Sequence, residues 1–522
     1  MFENEYTWGK AVASNATKEF DEKFEKAVEE IKKDLGKDYP IIINGKELFL
    51  DEKFEVKSPS DTRIILARFP SATKEDTSSA INSAKEAFPK WSIISYQQRA
   101  KIFKDCADEF SKQKFHLAAL MSFENGKNRL EAMGDIDEAI DFMRFYAYQL
   151  EINNGFSKET KHPNPKEKTR TALKPYGVWG VIAPFNFPSA IAIGMTTGAL
   201  ITGNTAVLKP ASDTPVSSFK FVQTIYKKLP TGAINFLTGA GSVVGKTLIE
   251  SPLVDGIVFT GSRNVGMSGF KKFTEKVAKP FIAEMGGKNP VIVTDSADLE
   301  KATDGVLRAA FGYGGQKCSA CSRVYVQKKV ADEFTKKLVE KTKTIKVGLP
   351  WKKDVFLGPI INESALEKFQ EAVAHAQKDG GQILAGGSIL KDGELEHGYY
   401  VEPTIVTRLP KNHRLMKEEL FLPFLCIESY EDYDEAIKLA NDIEYGLTAG
   451  VFSENKEQLE KFFDNIEAGV VYANRASSAT TGALVGSQPF VGWKDSGSSG
   501  KGAGGERYLL QFLREQTQTR CD

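Results

Sequence analysis

Two residues of this 522-residue chain could carry covalent and acid–base chemistry, Cys318 and Glu284. Cys318 opens the run Cys318-Ser-Ala-Cys321, a spacing that admits a zinc pair, a redox pair or simply a buried thiol. Zinc would want a second such pair or nearby histidines. The five histidines (His116, His162, His375, His397 and His413) are scattered, so no metal site is expected. Gly314-Gly315-Gln316-Lys317 precedes Cys318 and Arg323 follows it; glycine permits close backbone approach, and a neighbouring cation lowers a thiol pKa. By residue type alone an inert buried cysteine is still favoured. Glu284, in Glu284-Met-Gly-Gly-Lys-Asn-Pro, is either a satisfied structural carboxylate or a general base with a raised pKa. Asn186, inside Pro184-Phe185-Asn186-Phe187-Pro188, is either a turn residue or an amide donor to a developing oxyanion.

Two glycine-bearing turns could cradle phosphate. Gly239-Ala-Gly241-Ser-Val-Val-Gly245-Lys-Thr lies between a strand signal and a helix signal, where backbone N–H groups are free. It satisfies neither the dinucleotide fingerprint nor the triphosphatase loop, because three residues separate Gly241 from Gly245. A tight packing turn is the plain alternative. Phe259-Thr260-Gly261-Ser262 is similarly placed. Each turn is weak alone; two in one βαβ region favour a dinucleotide site.

The elements that must position these residues follow from patterning. Residues 15–36 are charged with scattered apolar positions and predict an exposed helical extension. Ile41–Ile43, Asn44-Gly45 and Leu48–Leu50 read as a hairpin. From Thr73 to Leu150 helical spacing recurs, broken by Pro89 and by Asn125-Gly126. Short apolar runs then alternate with helices (Val178–Ala183, Thr205–Leu208, Ala233–Leu237, Gly256–Phe259, Pro290–Val293), which predicts βαβ units and a parallel sheet. A second alternating block runs from Asp295 to Gly469. Tyr176 to Leu208 contains no charge, yet its prolines, glycines and Asn186 suit a buried strand, turn and helix better than a membrane span.

Bulk composition narrows the partners. Lysine plus arginine and aspartate plus glutamate number 69 each, which removes any electrostatic case for nucleic acid or an anionic membrane. Five cysteines are too sparse for a disulfide framework, and the first residues carry no signal peptide or basic presequence, so a cytoplasmic location is expected.

Phe185-Asn-Phe-Pro188, Lys209-Pro210, Phe259-Thr-Gly-Ser262, Glu284-Met-Gly-Gly-Lys288, Gly315-Gln-Lys-Cys318 and Glu418-Glu-Leu-Phe421 occur in the order found in the aldehyde dehydrogenase superfamily, which the chain resembles over residues 40 to 520. The separation of 34 positions from Glu284 to Cys318 also agrees. The resemblance implies an α/β fold of two Rossmann-like parallel-sheet domains with a small β oligomerisation arm. The map it implies is an N-terminal extension (1–38), an NAD(P)-binding domain (39–150 and 176–286), a catalytic domain (287–489) and an arm (151–175 and 490–522). It makes Cys318 the nucleophile, Asn186 an oxyanion donor and Glu284 the base that activates water. Ala183, Pro184, Phe185, Lys209, Ala211, Ser212, Gly241, Gly245, Phe259, Thr260, Gly261, Ser262 and Gly286 would line the cofactor cleft. Glu419 and Phe421 would hold the nicotinamide end. Ser212 stands where NAD-selective relatives carry glutamate, which leaves NADP⁺ open beside NAD⁺. Leu422 replaces the usual glycine of the Glu-Glu-x-Phe-Gly-Pro motif.

Within the superfamily, Phe311 to Arg323 looks most like the 1-pyrroline-5-carboxylate dehydrogenases, and so do Asn474-Arg475, Thr480 to Ala483 and Gln488-Pro-Phe490. That likeness implies that Ser319 and the backbone at Gly482-Ala483 grip a substrate carboxylate, that Phe187 and Phe490 sandwich its methylene chain, and that Glu138 lies near its amino group. The implied partners are a small-molecule substrate and further copies of the chain. Rival readings are another semialdehyde or aliphatic aldehyde dehydrogenase, and a catalytically silent structural protein on the same fold. A coenzyme-A-acylating relative would usually lack Glu284.

Overall fold

In the computed structural model the described residues are 2–410, 412–476 and 484–521. They build two seven-stranded sheets, each wrapped by helices. In the first, the strand order is Phe281–Glu284, Gly256–Thr260, Val178–Ile182, Thr205–Lys209, Ile234–Phe236, Ile41–Ile43 and Lys46–Leu48. The first five run parallel, and the Asn44-Gly45 hairpin closes the far edge antiparallel. The chain enters at Val178–Ile182 in the middle, steps outward one way, then returns to lay down Gly256–Thr260 on the other side. That reversal is the switch point where an open parallel sheet leaves a crevice beyond its carboxyl ends.

The second sheet runs Gln382–Ala385, Thr404–Thr407, Phe424–Tyr430, Cys321–Gln327, Asn289–Val293, Thr448–Phe452 and Val470–Ala473, all parallel but for its first strand. A third, three-stranded antiparallel sheet joins Ser157–Thr160, Glu167–Pro175 and Leu513–Cys521. The α/β, two-sheet expectation therefore holds, and three local readings are corrected. Pro290–Val293 belongs to the second sheet, because it pairs with Cys321–Gln327 and Thr448–Phe452; its apolar run fits either sheet, and only its partners decide. Pro89 lies inside the helix Lys74–Ser92, near its end, and does not break it. The helix Thr17–Lys33 is not an exposed extension: Phe20, Phe24, Ala27, Val28 and Ile31 form a buried stripe that joins the main core.

The uncharged stretch resolves into the strand Val178–Ile182, the helix Ala190–Ile201 and the strand Thr205–Lys209. Among the described residues no helix is long and apolar enough to cross a membrane. The helix Arg129–Ile152 crosses against Ala190–Ile201 and carries a line of buried acidic groups, Asp135, Asp137 and Asp141, on faces that solvent does not reach. Asn204 docks the third sheet: its Oδ1 accepts from the Gly177 N–H (2.9 Å) and its Nδ2 donates to the Phe512 carbonyl (2.9 Å).

Candidate active site

Nearly every candidate residue of the first sheet sits just beyond the carboxyl end of a parallel strand. Ile182 leads into Ala183 to Phe187, Lys209 into Pro210 to Ser212, Thr260 into Gly261 and Ser262, and Phe281–Glu284 ends on Glu284 itself. The second sheet presents its amino ends to the same space. Cys318 lies three residues before the strand that begins at Cys321, Asn289 begins its own strand, and Glu419 precedes Phe424–Tyr430. The site is the seam between the two sheets.

Four contacts hold the seam. Asn186 Nδ2 donates to the Gln316 carbonyl (3.0 Å), joining the first sheet to the turn that carries Cys318. Asn289 Nδ2 donates to the carbonyls of Cys318 (2.7 Å) and Ala320 (2.9 Å), while its Oδ1 accepts from the Thr448 N–H (3.0 Å). The Gly287 N–H donates to Glu419 Oε1 (2.8 Å). Lys317 Nζ reaches Glu131 (2.8 Å) on the helix Arg129–Ile152. The glycine pair is a packing requirement: a Cβ at Gly286 would stand 2.2 Å from Glu419 Oε2, and one at Gly287 would stand 2.5 Å from the Cys318 carbonyl.

The electrostatics follow from burial. Glu284 Oε2 is buried without a protein hydrogen-bond partner, and desolvation pushes the carboxyl up to about 8 against a small opposing effect of the Gly492 N–H. Burial also raises the Cys318 thiol far above its ordinary value, with the charges of Glu419 and Glu284 adding to the rise. Glu419 is itself lifted to about 7 by burial, opposed by the Gly287 N–H and by Lys368 and Lys288. Burial thus favours the protonated form of both Cys318 and Glu284. Cys321 is buried, its thiol on the Arg323 carbonyl at 3.5 Å, and all five cysteines are free. Among the described residues no cluster could hold a metal ion.

Most of the cofactor candidates follow the carboxyl ends of the first sheet's parallel strands. Lys209 is buried, its Nζ on the Pro210 carbonyl (2.8 Å), and burial lowers it to about 8. Its aliphatic stem lies 3.9 Å from where a Cβ of Gly245 would stand, and Gly241 faces open space. Ser212 Oγ donates to the Gly239 carbonyl (3.3 Å), and the Ala211 carbonyl closes a turn on the Thr214 N–H (3.2 Å). The Gly261 N–H donates to the Glu284 carbonyl (3.2 Å), Thr260 Oγ1 lies on the Met195 sulfur (3.4 Å), and Phe259 packs in the core beneath. Ser262 is the N-cap of the helix Arg263–Phe273 but makes no side-chain cap bond, so that first turn keeps free donors. A buried ammonium, an unobstructed glycine turn and an uncapped helix start suit the sugar and phosphates of a dinucleotide. At the inner end the rings of Phe185 and Phe421 meet edge to face, 5.6 Å apart, with Phe421 at φ 62°. Leu422 is buried, and its backbone carbonyl stands 2.2 Å from where a Cβ of Gly315 would lie, so the lack of a side chain at Gly315 lets the two backbones approach whatever residue stands at 422.

Among the substrate-site candidates, Ser319 is buried next to Cys318 and its carbonyl accepts from Thr448 Oγ1 (3.2 Å). Phe187 lies over Lys127 Nζ, 3.5 Å from its ring centroid. Lys127 is fully buried and pairs with Asp135 (2.7 Å), which also accepts from the Ala190 N–H (2.6 Å). Glu138 follows Asp135 by one turn, partly buried and raised to about 8 by burial and the Asp135 charge. Phe490 is bridged to Ala503. Gly482 and Ala483 lie outside the described residues.

Sequence reasoning missed several positioning residues. Asn289 stood unassigned within a quoted motif. Lys127, Glu131 and Asp135 fall at helical spacing with Glu138, a charged stripe that reads as a solvated face. Ser496 lies in a Gly- and Ser-rich stretch with no local signal; its Oγ donates to the Gly286 carbonyl (2.6 Å) and accepts from the Gly446 N–H (3.1 Å), so it staples the Glu284 strand across the seam.

A cysteine near a side-chain amide and a buried carboxylate, beyond the carboxyl ends of a parallel sheet, is an arrangement that can support thiol chemistry. The chain belongs to the aldehyde dehydrogenase family, whose profile matches residues 49–518. It is 40% identical over 502 residues to the 1-pyrroline-5-carboxylate dehydrogenase of Geobacillus sp. strain WCH70, covering 95% of each chain. It superposes on the 1-pyrroline-5-carboxylate dehydrogenase from Thermus with bound NAD at a TM-score of 0.93 and 32% identity, over 100% of this chain and 99% of that one. Proline utilization A from Bdellovibrio bacteriovorus is similar at a TM-score of 0.93 and 36% identity, and this chain spans 53% of its length.

Cys106, Cys321 and Cys426 are buried, Cys318 is half-buried and Cys521 is exposed on the third sheet, so Cys521 labels first and Cys318 is followed on its own peptide. Iodoacetamide labelling of Cys318, followed by peptide mass spectrometry, is expected to accelerate as pH rises through about 8, where Glu284 ionises. In Glu284→Gln that inflection should vanish. A rate independent of pH in the parent protein would contradict the coupling.

Proposed function

We propose that this chain oxidises L-glutamate γ-semialdehyde, the open form of 1-pyrroline-5-carboxylate, to L-glutamate with NAD⁺, the second step of proline breakdown. The observation that carries this reading is the convergence of Asn186, Cys318 and Glu284 on one seam beside the Lys209–Gly245 cleft. Lys209, Ser212 and the turns at Gly241 and Gly261 would hold the cofactor, with Glu419 and Phe421 at its inner end. When bound, NAD⁺ supplies a hydride acceptor.

The Cys318 thiol passes its proton to the ionised Glu284 carboxylate, which returns it to solvent, and the sulfur adds to the aldehyde carbon. Asn186 Nδ2, which spends one N–H on the Gln316 carbonyl, offers its second to the resulting oxyanion, with the Cys318 N–H beside it. Loss of hydride from that carbon leaves a thioester on Cys318. Glu284, ionised near pH 8, takes a proton from water, which attacks the thioester and releases the acid and the thiol. Ser319, with Gly482-Ala483, would bind the substrate carboxylate by hydrogen bonds; Phe187 and Phe490 would flank its methylenes and Glu138 its amino group. The free cysteines accord with a cytoplasmic location. We assign assembly into a homo-oligomer to the three-stranded sheet, whose outer strands Ser157–Thr160 and Leu513–Cys521 are largely exposed.

NADH absorbance with a panel of aldehydes tests the assignment. Ser319→Ala is expected to raise KM for glutamate semialdehyde about tenfold or more, as loss of a charge-assisted hydrogen bond would, and to leave hexanal turnover little changed. Equal effects on both aldehydes would remove Ser319 from the carboxylate site. Ser212 places no carboxylate against a 2′-phosphate, so kcat/KM with NADP⁺ should fall within about a hundredfold of that with NAD⁺, less than a full charge repulsion would impose. A preference for NAD⁺ of about a thousandfold or more would refute that role for Ser212.

A further inference from the structure

The segment Phe2–Thr7 runs across the helix Arg129–Ile152 and ends beside the hairpin that leads to Phe490. Its attachment is dense and polar. The Glu5 N–H donates to Asp141 Oδ1 (2.8 Å), and the Thr7 N–H and Oγ1 donate to the two oxygens of Asp137 (2.6 and 2.7 Å). The buried Glu5 carboxylate accepts from Ser111 Oγ (2.8 Å) and Lys114 Nζ (2.7 Å) and pairs with Arg144.

One residue links two elements. Asn4 Nδ2 donates both to Asp141 Oδ2 on the helix (2.8 Å) and to the Val485 carbonyl in the hairpin (3.0 Å). Phe2 completes the link: its ring lies 5.1 Å from that of Phe145, edge to face, and 2.9 Å from where a Cβ of Gly486 would stand. Gly486 takes φ 82°, and its N–H donates to the Gly504 carbonyl (2.9 Å). The Gly504 N–H donates in turn to Tyr146 Oη (3.0 Å), and the neighbouring Ala503 pairs with Phe490 by two backbone hydrogen bonds (2.8 and 2.9 Å). A path of direct contacts therefore runs from Asn4 and Phe2 to Phe490, and the same helix presents Glu138.

We propose that Phe2–Thr7 is a specificity-determining strap: by tying the Val485–Phe490 hairpin to the helix of Glu138, it fixes the width of the slot that receives the amino-acid end of the substrate. The proposal rests on the placement of Phe490 and Glu138 in that slot. Asn4 and Phe2 are positioning residues, remote from Cys318, so their loss shifts binding of the substrate's polar end and spares the chemical step.

The test is steady-state kinetics of Asn4→Ala and Phe2→Ala on glutamate semialdehyde and on hexanal, with Phe490→Ala in parallel and each fold checked by circular dichroism. In Asn4→Ala, KM for glutamate semialdehyde is expected to rise roughly threefold to tenfold, the range for one lost hydrogen bond. Its kcat, the KM for NAD⁺ and kcat/KM for hexanal should stay unchanged, and Phe2→Ala should shift the same parameter in the same direction. Equal losses on both aldehydes, or no change in KM in either variant, would overturn the proposal. The Phe490→Ala control then tells whether the slot assignment fails with it, since a KM effect confined to glutamate semialdehyde there would leave that assignment standing.

Discussion

The amide of Asn289 makes three hydrogen bonds, and the geometry of Cys318 depends on them. Two go to the carbonyls of Cys318 and Ala320, which flank Ser319, and the third comes from Thr448 on the neighbouring strand. Those carbonyls belong to a turn that has left the sheet ladder, so without Asn289 they would be buried and unsatisfied, at about 1–3 kcal/mol each. The same amide therefore fixes the height of Cys318 and the plane of the peptide that joins it to Ser319. Asn186 supports the turn from the opposite sheet through Gln316, whose Oε1 accepts from the Ile361 N–H (2.8 Å). A nucleophile held from both sides is preorganised, and preorganisation is what makes an oxyanion site effective.

Dryness is the second constraint. Glu284, Cys318 and Glu419 share one poorly solvated seam, and burial raises all three. A thiol so placed is a poor spontaneous nucleophile, which protects it from adventitious oxidation. A carboxyl raised to about 8 is, by contrast, well matched to taking a proton near neutral pH. The Gly286-Gly287 pair brings these groups together, because any side chain there would occupy the space of Glu419 or of the Cys318 carbonyl. Ser496 then locks the pair from behind.

The alternation of short apolar runs with helices made the two-sheet architecture legible before any coordinates, and six motifs in order located Cys318, Glu284 and Asn186. What stayed hidden was hidden for physical reasons. Pro290–Val293 is apolar on both faces, as a central parallel strand must be, so its sequence does not say which sheet it joins. The stripe Glu131, Asp135 and Glu138 has the spacing of a solvated helix face; only tertiary packing reveals that Lys317, Ala190 and Lys127 meet it. The first residues of the chain suggested no structure at all, since isolated Asn4 and Thr7 find their partners 130 and more positions away. Local pattern reports which element forms. It is silent on long-range polar pairing.

The central claim is that Cys318 carries the acyl group and Glu284 releases it. Peptide mass spectrometry of Glu284→Gln, acid-quenched after mixing with NAD⁺ and glutamate semialdehyde, tests both halves at once. The expected result is a glutamyl thioester on the peptide containing Cys318, accumulating in the variant and turning over in the parent enzyme. An unmodified Cys318 in a variant that still forms one equivalent of NADH, or an acyl group on another side chain, would contradict the account.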